Sequence, residues 1–460
     1  MLSDCRGVPT SCNSSEAILA MEAAHECALV FNGDAVGEID AVLATHPDFV
    51  MGYCFKAAML TQGMETRIYS ILLKSVEDAE ALWARANERE REHILAIRAW
   101  VDGDFHGAVQ HWEAALTRHP LDLLALQMVH LSDVLLGDVV GQRDCVARVF
   151  SIWDESVPGF EFVLGFYSFG LEENRDFMHA EELGRQSLAL RPNNPYAVHA
   201  VAHVMEMRGR QSGGIAFMKH HEHYWANTNF ANHLWWHLSL FHMDVGQVDT
   251  VLEIYDNHLR SQKHSGDKYE ELDAAALLWR LKLLDIDVGD RWSSLADKWE
   301  ASASDTLYAF NDVHAMMSFV SDNRTDAAQQ MLNANARYVE HASDANVAMS
   351  REMGLPFCLA LQSFAQGKYG ECVDQLLPAR YNTHRLGGSF AQRDIIGWTL
   401  LEAALRARRF DLALALANER CALKPSSAQN WLYVARAHRG LNDLHRAAQA
   451  EFKANSLLAA

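Results

Sequence analysis

Proline is scarce in this chain, nine in 460 residues, and no apolar run approaches membrane-spanning length. Alternating apolar and polar stretches are scarce too, which argues against a β-rich fold. Positive charge is in deficit: 40 Lys plus Arg face 60 Asp plus Glu, a formal charge of −20. A phosphate backbone or an anionic lipid surface is repelled over most of such a molecule, so neither nucleic acid nor a membrane is expected as a partner. The eight cysteines (Cys5, Cys12, Cys27, Cys54, Cys145, Cys358, Cys372, Cys421) include no C-x-x-C pair. Reduced thiols in a reducing compartment are therefore expected. The opening MLSDCRGVPTSCNSS has an acid and a proline where a secretory apolar segment would stand, and a cytoplasmic location is expected. Also missing are a phosphate-cradling Gly-rich loop after a strand, a G-x-S-x-G elbow and a cysteine in protease context. Nucleotide-dependent chemistry and elbow-type serine hydrolysis are disfavoured accordingly.

What is present is amphipathic helix. EAILAMEAAHECALVF, AEELGRQSLAL, VDTVLEIYDNHL and FDLALALANERCAL all space apolar residues three and four apart. FNGDAVGEIDAVLATHP, VDGDFHGAVQHWEAALTRHP, EENRDFMHAEELGRQSLALRP and RARRFDLALALANERCALKP share one plan: a polar turn, a helix with small and aliphatic residues at regular offsets, and a closing Pro. That is the second helix of a tetratricopeptide unit, whose period is about 34 residues. The expected fold is all-α, an irregular tetratricopeptide-like superhelix of antiparallel helix pairs. Residues 1–15 read as an N-terminal tail and 16–460 as one superhelical domain. Two stretches expected to be inter-helix loops with helical edges, Leu259 to Asp273 and Arg291 to Asp305, allow halves at 16–258 and 274–460.

Imidazole is concentrated where helices should be apolar. PNNPYAVHAVAHVMEM places His199, His203 and Glu206 at i, i+4 and i+7, on one helical face. NHLWWHLSLFHMD repeats the spacing with His233 and His237, flanked by Trp235 and Trp236. Two His at i, i+4 with a carboxylate is a known way to hold zinc or another divalent first-row metal, so His199, His203, His233 and His237 are candidate ligands. A buried His satisfying a carbonyl or an acid is the plainer explanation. FNDVHAMM offers Asp312 and His314 as a carboxylate–imidazole pair, or else Asn311 or Asp312 as a helix cap with Met316 and Met317 in the core. In LGGSFAQRD, Ser389 and Gln392 form a capping box, and the same helix start with Arg393 could hold an anion. GFYSFGLEE offers Tyr167 as a donor, although its aromatics read first as packing and its two Glu as a solvated helix end.

These five motifs, in chain order from GFYSFGLEE to LGGSFAQRD, resemble the tetratricopeptide repeat protein 38 family over almost the whole chain after the first fifteen residues. The resemblance implies an all-helical tetratricopeptide-like superhelix and no defined activity. The family's pattern has His where this chain has Phe390; Ser389, Gln392, Arg393 and Asp394 match it.

Two functions are compatible with these residues. One is a central pocket for a small, acidic organic molecule, with His199, His203, Glu206, His237 and Asp312 as acid/base groups, a divalent metal such as zinc as cofactor, and Tyr167, Trp236, His314, Ser389, Gln392 and Arg393 as binding groups. The other is a scaffold that grips a partner peptide on its concave face.

Overall fold

A computed structural model describes residues 2–260 and 267–458. Apart from one short antiparallel pair, Leu2–Ser3 with Pro9–Thr10, the described elements are helices. The chain is thus the all-α helical repeat that its periodicity implies. That strand pair lies in the stretch expected as a tail, and a helix begins at Ser15. No described helix is long and apolar enough to cross a membrane.

The chain divides into two compact units. The first comprises residues 1–201 with 221–231 and 344–346; the second comprises 202–220, 232–343 and 347–460. In the first, consecutive helices pack as hairpins: Ser15–Leu29 with Ala35–Thr45, Glu88–Val101 with Phe105–Arg118, and Phe160–Glu173 with Phe177–Leu190. The second unit repeats the arrangement with Ala309–Ser321 and Thr325–His341, Phe390–Arg406 and Phe410–Leu423, and Ala428–Gly440 and Leu444–Leu458.

One turn joins many of these hairpins. The first helix ends on a left-handed residue and the next residue is the N-cap of the second helix: Gly33 and Asp34, Gly103 and Asp104, Gly137 and Asp138. Each Asp accepts from the backbone N–H three residues on, at Gly37, Gly107 and Gly141, with distances of 2.9, 2.9 and 2.8 Å. The glycine at that third position has its own cause: a Cβ on Gly37 or Gly107 would lie 2.4 or 2.2 Å from the capping carboxylate. Elsewhere Arg175, Asn323, Arg408 and Asn442 take the left-handed place. Gly103 and Gly137, Arg175 and Gly209, and Arg408 and Asn442 each stand one tetratricopeptide period, about 34 residues, apart.

The two expected loops differ from expectation. Arg291–Glu300 is a helix that buries Trp292, Leu295, Ala296 and Trp299. Those positions follow the i, i+3, i+4, i+7 spacing, which the Ser, Asp and Lys between them obscured. Of the other stretch, residues 261–266 lie outside the described residues, while Lys268–Leu283 is a helix with Leu272 to Leu281 wholly buried.

Candidate functional site

The polar cluster of the second unit begins on Ala231–Asp244, a helix buried from Asn232 through Met243. Such a helix has no solvent side to which a polar stripe could turn, so its imidazoles must find partners inside. His233 and His237 share one face, and His203 faces them from Pro195–Met207. His203 Nε2 lies 3.1 Å from His237 Nε2, and His237 Nε2 lies 3.2 Å from His233 Nε2. The rings meet at steep angles, 55° and 89°, so ring nitrogens and not ring faces converge.

Carboxylates stand behind two of these rings. His233 Nδ1 donates to Asp273 Oδ2 at 2.8 Å, from a carboxyl with no solvent exposure, and Glu206 Oε2 lies 3.7 Å from His237 Nδ1. Burial, reinforced by its two imidazole neighbours, holds His237 well below the ordinary histidine range, so the ring is neutral at pH 7. Trp236 stacks on His233 at 5.4 Å, and the Arg280 guanidinium lies over Trp236 at 5.1 Å. Arg280 donates to the Ala276 and Ala391 carbonyls at 3.0 and 2.8 Å, and burial lowers its pKa to about 10.

Beside this cluster lies a small cavity of about 30 Å³, lined among others by Glu206, Asp244, Arg280, Asp394, Arg420 and Lys424. Three carboxylates face three cations. Lys424 Nζ donates to Glu206 at 3.1 Å and to Asp244 at 3.4 Å, and Arg420 grips Asp394 with two bonds of 2.6 and 2.9 Å. Burial alone would raise Glu206, but the Lys424 ammonium and His203 outweigh it and hold the carboxyl below its usual range. The space suits a water molecule or two.

The other residues singled out from the sequence have separate partners. Ser389 and Gln392 form the reciprocal capping box, at 3.3 and 2.9 Å. Arg393 is buried and donates to the Gly388 carbonyl. Asp312 and His314 do not pair: His314 Nδ1 donates to the Phe310 carbonyl at 2.7 Å, and the partner of Asp312 is Asn335. Neither Asn311 nor Asp312 caps that helix, which starts at Ala309 after Tyr308, whereas Met316 and Met317 are core. The acid and imidazole lie two residues apart on a helix, where side chains diverge.

In the first unit the Tyr167 ring lies tilted against Phe150 at 4.9 Å, and His199 lies between Phe169 and Phe230, at 4.9 and 5.3 Å. Glu172 and Glu173, expected at a solvated helix end, are buried.

Asp273, Arg280, Asp244, Arg420 and Lys424 were not legible as site residues. Asp273 and Arg280 did carry a signal, an acid and a base seven apart on one face of the apolar LDAAALLWRLKLL. Lys424, before the closing Pro of a repeat, looks like any cation at a helix end.

No family model matches the chain. Among solved structures it is similar to a human IFIT1 dimer with PPP-AAAA (13% identity, 89% of this chain and 91% of that one, TM-score 0.40). It is also similar to yeast Tom70 (14%, 96% and 92%, TM-score 0.35) and to Naa15/Naa10 bound to HypK-THB (14%, 81% and 64%, TM-score 0.24). Likeness at this level leaves function to be argued from the residues themselves.

Proposed function

We propose that this protein is a helical-repeat interaction module that grips an extended segment of a partner protein. The observation that carries this reading is the size and occupancy of the polar cavity. At about 30 Å³, with Arg420 and Lys424 already paired to its three carboxylates and Arg280 donating to two backbone carbonyls, it is too small for an organic acid. Ligand pockets for organic molecules are ordinarily several hundred Å³. Arg393, the expected anchor for such an acid, donates to its own chain. The concave surface of stacked helix pairs is their usual binding face, and an extended peptide can lie along it. The resemblance to the tetratricopeptide repeat protein 38 family agrees with this architecture.

The formal charge of −20 favours a basic segment over an acidic one. The test is an array of extended peptides graded from acidic to basic, run beside a panel of organic acids in thermal-shift format. Saturable binding of basic peptides that weakens with rising salt is expected, with no melting shift from the acids. A shift from one acid that disappears in Glu206→Gln would overturn the reading in favour of the acid/base pocket, as would tight retention of a single-stranded RNA at physiological salt.

A further inference from the structure

The three imidazoles of the second unit pose a proton-counting problem. His233 donates from Nδ1 to Asp273, so in its neutral form Nε2 presents a lone pair. Nε2 of His237 faces that lone pair at 3.2 Å and Nε2 of His203 at 3.1 Å. One nitrogen can donate one proton or accept through one lone pair, not both. Among these three nitrogens, with neutral rings, either a single N–H is shared between two acceptors or like groups oppose each other. Protonating a ring to relieve this would place a cation among rings that are 0 to 4% exposed.

A metal ion removes the conflict, because it accepts all three lone pairs at one point. Imidazole nitrogens bind Zn²⁺ at about 2.0–2.1 Å, which in a tetrahedron sets neighbouring nitrogens roughly 3.3 Å apart; the two distances here are 3.1 and 3.2 Å. His233 and His237 come from adjacent turns of one helix and His203 from another, the usual way for a helical site to fix three corners. The surroundings also fit. Asp273 holds His233 by its far nitrogen, the carboxylate–histidine–metal arrangement that fixes ring orientation, and among the described residues its Oδ1 has no hydrogen-bond partner although the residue is fully buried. Glu206 stands behind His237 in the same sense.

We propose that His203, His233 and His237 bind one divalent transition metal, zinc foremost, through their Nε2 atoms, with Asp273 and Glu206 as the carboxylates that orient the rings. An all-imidazole donor set suits zinc, copper, nickel or iron and does not suit calcium or magnesium. Three protein ligands leave a fourth position for water. The ion would tie the helices Pro195–Met207 and Ala231–Asp244 together and would stabilise the fold by an amount that grows with the logarithm of free metal above the Kd.

The experiment uses the full chain without a histidine tag, stripped with a chelator and dialysed. Zinc is titrated in competition with a chromophoric chelator, and cobalt(II) is bound in its place for visible spectroscopy. The expected result is one tight zinc per chain and the intense visible bands of low-coordinate cobalt. Asp273→Asn is expected to weaken binding about 10- to 100-fold and His237→Ala by more. Replacing the exposed His220 and His223 by Ala is expected to leave binding intact. No stoichiometric site, the pale spectrum of six-coordinate cobalt, or loss of binding in the surface variant with retention in His237→Ala would each overturn the proposal. Should His237→Ala fail to fold, the cobalt spectrum of the unaltered chain still decides.

Discussion

Asp312 carries a clear pH signature. Burial raises its carboxyl from 3.8 to about 7, against a hydrogen bond to Asn335 that pulls the other way. Between those values the folded protein holds a proton that the unfolded chain has released, so stability falls as pH rises from about 4 to about 7. Asp312→Asn keeps the shape and removes the titration. Denaturant unfolding at pH 4 and pH 8 is expected to show the variant gaining on the wild type by up to about 4 kcal/mol across that range. Parallel pH profiles for the two proteins would mean that the carboxyl is not buried as described. At this scale the sequence was a partial guide. His203, Glu206, His233 and His237 announced themselves because polar residues at helical spacing in an apolar run must meet something. Asp312 with His314, and Ser389 with Gln392, look alike in sequence whether they serve a ligand or the local backbone, and only the partners separate the two cases.

Helices and turns were far more legible. The G-D-x-x-G turn combines a left-handed glycine and a capping acid in GDAVG, GDFHG and GDVVG, and in the first two a final glycine that leaves room for the capping carboxylate. Gly107→Ala pushes a methyl to within 2.2 Å of the Asp104 oxygen and is expected to destabilise by about 1–2 kcal/mol, as loss of a cap does. The converse change belongs to Arg408, which is exposed and holds φ at 60°. Because that conformation costs a side-chain-bearing residue about 1 kcal/mol, Arg408→Gly is expected to raise stability by roughly 0.5–1 kcal/mol. Thermal melts of both variants check the pair, and a stabilising Gly107→Ala would contradict the cap geometry. The helix Arg291–Glu300 was expected as a loop, and Lys268–Leu283 only as the helical edge of one, for opposite reasons. The first is short with a polar surround that masks its buried stripe; the second is buried on every side after Leu272 and so has no amphipathic period to read.

Over the whole molecule, repetition is what the sequence conveys best and the meeting of separate repeats what it conveys least. Periodicity places helix pairs in order, yet nothing local says that His203 will face His237 across thirty-four positions, or that Lys424 will reach Glu206 across more than two hundred. Those meetings depend on how far each pair is rotated against the next, a quantity set by packing along every intervening element. They also set the surroundings of the site, because they bring the polar residues of the second unit together around a cavity of about 30 Å³. The arrangement of the three imidazoles is therefore the point on which the account stands. Crystals of the stripped and zinc-loaded protein, with anomalous differences recorded at the zinc edge, test it most directly. The account predicts a single strong peak about 2.1 Å from Nε2 of His203, His233 and His237 in the loaded crystal alone. A loaded crystal with those nitrogens turned away from one another, or with peaks only at exposed histidines, would contradict it.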